Sequence, residues 1–219
     1  MYAVNRDRLL STDAWGREKT YQDYSIVSGL FTSGISDQRW KASTDGVFSI
    51  KVGDTTEVAS VDGYLSISPS TLNQSKGLQS KRHPIYQPNR GHLYSASMII
   101  KDHTYGICDY GIFTVDNGVF FRVKEDGTLW AVRRTLGAEV AEEQISLDTG
   151  FDITKGHLYD IQFQWRGVGN YMFYVDNKLV HKMALLGTLD ALSIANPALP
   201  VGFLVTKTVN GGNPELRCG

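Results

Sequence analysis

The chain has 219 residues, a formal net charge of -1 and a pI near 6.5, so it offers no long-range attraction to nucleic acid or to an anionic membrane surface. Aromatics at 11% and 22 glycines, set among short apolar runs, favour strands and turns in one main domain. No run reaches the roughly 20 apolar residues that span a bilayer, and the start, MYAVNRDRLLSTDAWGREK, lacks the apolar centre of a secretory signal, which predicts synthesis in a cytoplasm.

Residues 1–45 read as an extended arm. They interleave Trp15, Tyr21, Tyr24, Phe31 and Trp40 with charges such as Arg17, and they show no sustained helical or strand period. Such an arm gains stability only by laying its aromatics on another surface, either its own sandwich or a neighbouring subunit. Trp15, Arg17, Tyr21, Tyr24, Phe31 and Trp40 are therefore the candidate assembly interface.

From 46 to 219 the chain reads as a β-sandwich. VFSIKV, TTEVASV and YLSIS are separated by turn dipeptides, of which Asp62-Gly63 is a strong hairpin signal. Pro69 to Gly91 is polar, holds three of the prolines and reads as a long surface loop, a candidate interaction element. Strands return at HLYSASMII, YGICDYGIFTV, VFFRVK and TLWAVRRT, with turns at Asp116-Asn117-Gly118 and Asp126-Gly127. AEVAEEQISL (138–147) has helix-favouring Ala and Glu, but the hairpin rhythm around it favours a strand.

His157 to His181 is the clearest segment. Tyr159, Ile161, Phe163 and Trp165 alternate with polar residues, Tyr171, Phe173 and Val175 resume the alternation, and Asp176-Asn177 turns the chain into a third strand. Outside that buried set, Met172 and Tyr174 occupy the opposite face and are the candidate glycan or partner surface. A short helix or irregular turn is expected near Leu185 to Leu192, then the strand VGFLVTKTV. Leu216 and Cys218 read as the start of a strand that stops at Gly219, as in a chain that continues further. Turns every 8 to 12 residues without βαβ alternation predict an all-β, antiparallel jelly-roll sandwich.

DAWGREKTYQDYSIVSGLFTSGISDQRW, from Asp13 to Trp40, resembles the DAFGR-type N-terminal segment of tailed-bacteriophage virion proteins, with Trp15 in place of the commoner Phe. RGHLYSASMII, DYGIFTVDNGVFFRVKEDGTLWAVRRT and YDIQFQWRGVGNYMFYVDNKLVH are similar to the concanavalin A-like jelly-roll body that follows it in such proteins. The resemblance implies a non-enzymatic virion component: a head decoration or fibre protein, or a tail or baseplate appendage. It implies other virion proteins as partners and assembly as a homo-oligomer, and it brings no catalytic residues. A lectin-like module for host glycan is the alternative, and a glycoside hydrolase the remote one.

The residues give little support to catalysis. Glu139, Glu142 and Glu143 are the densest acids, but the spacing ExxEE does not place a clean acid/nucleophile pair at nearby same-face positions such as i and i+2 among aromatic sugar platforms. There is no G-x-S-x-G elbow, and the five histidines are scattered. Cys108 and Cys218 are expected as buried free thiols. No metal or cofactor is expected.

Overall fold

The computed structural model describes residues 31, 35, 39–44, 47–48, 58–84, 92–145, 153–165, 170–184 and 198–219. They form two antiparallel sheets. The eight-stranded sheet runs β10 (Ala138–Gln144), β9 (Leu129–Thr135), β8 (Gly118–Val123), β7 (Gly106–Phe113), β14 (Val201–Lys207), β5 (Ser75–Ser80), β1 (Trp40–Thr44) and β2 (Val47–Phe48). The seven-stranded sheet runs β13 (Lys178–Ala184), β12 (Asn170–Val175), β11 (Leu158–Trp165), β6 (His92–Asp102), β15 (Glu215–Cys218), β4 (Tyr64–Ile67) and β3 (Val58–Val61). This is the jelly-roll sandwich expected from the turn spacing. The last two strands, β14 and β15, are inserted in the interior of the two sheets rather than at their edges.

Local sequence explains the hairpins. Asp62-Gly63 has φ of 53° and 83°, and Asp176-Asn177 has φ of 50° and 63°. Paired left-handed residues make the turn whose twist matches that of the strands it joins. The second of these turns joins β12 to β13, completing the β11–β12–β13 meander read from residues 157–181. The segment 138–144 is a strand, as the hairpin rhythm implied, and it pairs with β9.

Alternating side chains from both sheets meet in one core. Phe121 of β8 meets Phe173 of β12 edge-on at 4.9 Å, and Tyr110 stacks on Phe203 at 5.1 Å within the eight-stranded sheet. At one open edge, His181 Nε2 lies 2.7 Å from Glu143 Oε2 and ties β13 to β10 across the two layers. Cys108 and Cys218 are free and buried, and burial pushes both thiols well above the usual range.

Two expectations need correction. Within the stretch read as a loop from Pro69 to Gly91, Ser75–Ser80 is a strand paired on both sides, with β14 and β1. SKGLQS hides its strand character because Leu78 is its one core hydrophobe, while its polar residues bond to neighbouring strands. Gln79 Nε2 donates to the Phe113 carbonyl at 2.9 Å, and Ser75 Oγ shares a 2.8 Å hydrogen bond with Thr206 Oγ1. Gly77 is required there, since a Cβ would lie 2.4 Å from the Phe203 carbonyl oxygen. The second correction concerns the arm: within residues 1–45, Trp40–Thr44 is already a strand of the eight-stranded sheet. The helix or turn expected at 185–192 lies outside the described residues.

Candidate functional site

Of the candidate assembly residues, Trp15, Arg17, Tyr21 and Tyr24 lie outside the described residues. Phe31 and Trp40 are 3% and 4% exposed, with ring centroids 5.7 Å apart, and Trp40 sits 6.2 Å from Phe203. These two aromatics fill this chain's own core, so they are withdrawn as subunit contacts. Met172 and Tyr174 do face outward from the seven-stranded sheet, half-buried, with Tyr174 Oη donating to Met172 Sδ at 3.5 Å. Leu179, directly across from Tyr174, is exposed. Lys182, directly across from Met172, is exposed as well, and among the described residues no carboxylate is bonded to Met172 or Tyr174.

A richer face lies on the other sheet. Cys108, Tyr110 and Ile112 point into the core, as do Val119, Phe121 and Val123 on β8 and Leu129 and Ala131 on β9. By alternation, Asp109 and Phe113, Phe120 and Arg122, and Trp130, Val132 and Arg134 point the opposite way. There Phe113, Phe120 and Val132 form a second, smaller apolar cluster, with Trp130 and Leu204 against it. Strand register places Asp109 opposite Arg122 and Arg122 opposite Trp130.

A bulge completes the face. On a regular strand Glu139 and Glu142 would point in opposite directions. The register of β10 shifts between Glu139 and Ala141, so Glu139 lies opposite Arg134 and Glu142 opposite Val132, both outward. Glu143 falls on the other side, where His181 holds it.

Arg122 organises these acids. Its Nε and Nη2 donate to Asp109 Oδ1 and Oδ2 at 2.8 and 2.9 Å, a two-point bond on a carboxylate that is 4% exposed. Its Nη1 reaches Glu139 Oε2 at 2.9 Å and Glu142 Oε1 at 3.4 Å. Arg134 Nη2 donates to Glu139 Oε1 at 2.8 Å, and Lys124 Nζ lies 3.1 Å from Glu142 Oε1. The guanidinium carbons of Arg122 and Arg134 stand 5.3 and 5.0 Å from the Phe120 ring centroid, covering that fully buried ring. Burial holds the Asp109 carboxyl above the ordinary aspartate range, even against the opposing pull of Arg122. For Glu139, burial is outweighed by the hydrogen bonds from Arg122 and Arg134, which hold its carboxyl below the usual range.

Beside these acids stands Trp130, half-buried and rigidly held. Its Nε1 donates to Thr128 Oγ1 at 2.7 Å, and Thr128 donates to Asp126 Oδ1 at 2.6 Å. Lys124 Nζ caps its ring 3.7 Å from the centroid. An aromatic ring beside oriented carboxylates can take the C–H face of a sugar on the ring and its hydroxyls on the oxygens.

No family model and no curated protein matches the sequence. The fold does match solved structures. A glycosyl hydrolase family protein from Mycobacterium fortuitum superposes with a TM-score of 0.61 at 13% identity, covering 87% of this chain and 93% of that one. The endo-1,3-beta-glucanase of Streptomyces sioyaensis gives 0.58 at 14%, covering 90% and 93%. The carbohydrate recognition domain of Emp46p gives 0.53 at 10%, covering 83% and 88%. At these identities the likeness establishes a concanavalin A-like sandwich and no more.

It also corrects one expectation. The virion resemblance implied a chain without enzymatic activity, yet the sandwich is one on which a glycosyl hydrolase and a glucanase are built. Its fold gives no ground for excluding catalysis. Among the described residues, no group of three or more His, Cys, Asp or Glu side chains is placed to hold a metal ion, and no helix is long and apolar enough to cross a membrane.

Sequence reasoning missed Asp109, Arg122 and Trp130 because they come from three strands and meet only through register. One signal was present. In β7 and β8 apolar residues occupy both parities, as in Gly-Ile-Phe and Val-Phe-Phe, and a strand apolar on both faces has something to cover on each.

Proposed function

We propose that this chain recognises carbohydrate on the outer face of its eight-stranded sheet, with Trp130 as the stacking platform and Glu139 and Glu142 as hydroxyl acceptors. The observation that carries this reading is the rigidly held Trp130 beside carboxylates fixed by Arg122. The sandwich shared with a glucanase and a carbohydrate recognition domain supports it. The resemblance of Asp13 to Trp40 to the DAFGR-type segment supports a place on a tailed-phage particle, as a head decoration, fibre, or tail or baseplate appendage, where a host-surface glycan is the ligand. A glycan array probed with the protein and with Trp130→Ala tests the site: binding should fall at least about tenfold in the variant. Equal binding by both would refute it. Mass spectrometry of purified particles tests the virion placement, which absence of the chain would overturn.

A second reading, glycoside hydrolysis, rests on Glu139 and Glu142 meeting at one nitrogen of Arg122. Retaining glycosidases need two carboxyl groups about 5–5.5 Å apart. In this reading Glu139, held ionised, is the nucleophile, and Glu142 is the second carboxyl of the pair. Reducing-sugar release lost in both Glu139→Gln and Glu142→Gln would support it. Release unchanged in either variant would exclude that pair.

A further inference from the structure

We infer that the glycan bound on this face is uncharged: a neutral, hydroxyl-rich oligosaccharide rather than a uronate, sialylated or sulfated one. The inference rests on the carbohydrate reading above and goes further, to the class of sugar. Acidic glycans are held by cations left free to pair with them, since an anion entering a site must replace its own hydration. Around Trp130, among the described residues, the cations are already matched; Lys41 shares the face but lies on β1, five strands from β9. Arg122 holds Asp109 at 2.8 Å and Glu139 at 2.9 Å, Arg134 holds Glu139 at 2.8 Å, and Lys124 lies 3.1 Å from Glu142.

An acidic sugar would have to break one of these pairs and would then sit beside the carboxylate it displaced. A neutral sugar meets no such conflict. Its hydroxyls can donate to Glu142, and its apolar face can replace the Lys124 ammonium over Trp130, because that ammonium already has Glu142 to retreat to. The matched charges therefore act as a filter: they repel acids while leaving acceptors for hydroxyl donors.

The test is titration calorimetry at low salt with four probes: a β-glucan hexasaccharide, an N-acetyllactosamine oligomer, an oligouronate and sialyllactose. At least one neutral probe should bind at least about tenfold more tightly than either acidic one, and Trp130→Ala should lose it. Glu139→Gln frees Arg134 from its partner and should narrow the gap between neutral and acidic probes by about tenfold, with circular dichroism unchanged. Acidic probes binding the wild-type protein as well as or better than neutral ones would overturn the inference and leave the carbohydrate reading standing. Neutral binding that survives Trp130→Ala would overturn the site. No binding of any probe by folded protein would overturn both.

Discussion

Replacing Arg122 with methionine should destabilise the fold by about 3–5 kcal/mol at neutral pH, because it strands a buried carboxylate. Asp109 is 4% exposed, and both of its oxygens take their hydrogen bonds from Arg122. The lost cation–π contact with Phe120 adds only about 0.5–1 kcal/mol. The deficit should also depend on pH in a definite sense. Burial already holds the Asp109 carboxyl above its ordinary 3.8 in the folded protein. A group with a raised folded value gives stability that is complete below the unfolded value and is lost as pH rises through the folded one. Without Arg122 the folded value climbs further, so the variant should approach wild type near pH 3.8 and fall behind progressively above it. Adding Asp109→Asn removes the stranded charge and should recover part of the loss at neutral pH. Urea unfolding followed by tryptophan fluorescence, from about pH 4 to about pH 8, measures all three proteins. A deficit below about 1 kcal/mol at every pH, the size of an exposed pair, would refute the buried-pair argument. So would a double variant no more stable than Arg122→Met.

Three other outcomes follow from the geometry. Lys207 is 6% exposed and its ammonium donates to the Ser70 carbonyl and Asn213 Oδ1, both at 2.9 Å, so Lys207→Met should cost about 2–3 kcal/mol in chemical denaturation. Leu136 stands in a left-handed turn with φ of 52° and is 79% exposed, so it carries strain without packing in return. Leu136→Asn should raise Tm by about 2–4 °C in a thermal melt, and a lower Tm would show that Leu136 packs against something. Cys108 and Cys218 should resist a thiol reagent in the folded protein and both react on unfolding; rapid labelling of either before unfolding would contradict their burial.

How far the sequence could be read depended on how local each feature was. Asp62-Gly63 and Asp176-Asn177 announced their hairpins because the residues themselves favour the backbone those turns need. The centre of the meander was legible because Tyr171, Phe173 and Val175 of β12 share one parity and are all buried. Ser75–Ser80 was not, since a strand with one core leucine is recognised only by its partners β14 and β1. Glu139 and Glu142 looked like residues on opposite faces because a bulge leaves no mark in composition, only in register. Phe31 and Trp40 carried the interface signature of exposed aromatics, yet that signature is shared with aromatics that pack on their own domain. Sequence places residues on faces; only the paired sheet shows which faces meet a core and which meet one another.

The central claim is that glycan is bound on the Trp130 face of the eight-stranded sheet. A crystal structure with a bound neutral oligosaccharide tests it most directly. The account predicts a sugar ring stacked on Trp130, with hydroxyls on Glu142 and the Lys124 ammonium displaced from the indole. A sugar seated instead on the Met172 and Tyr174 corner of the other sheet would contradict it.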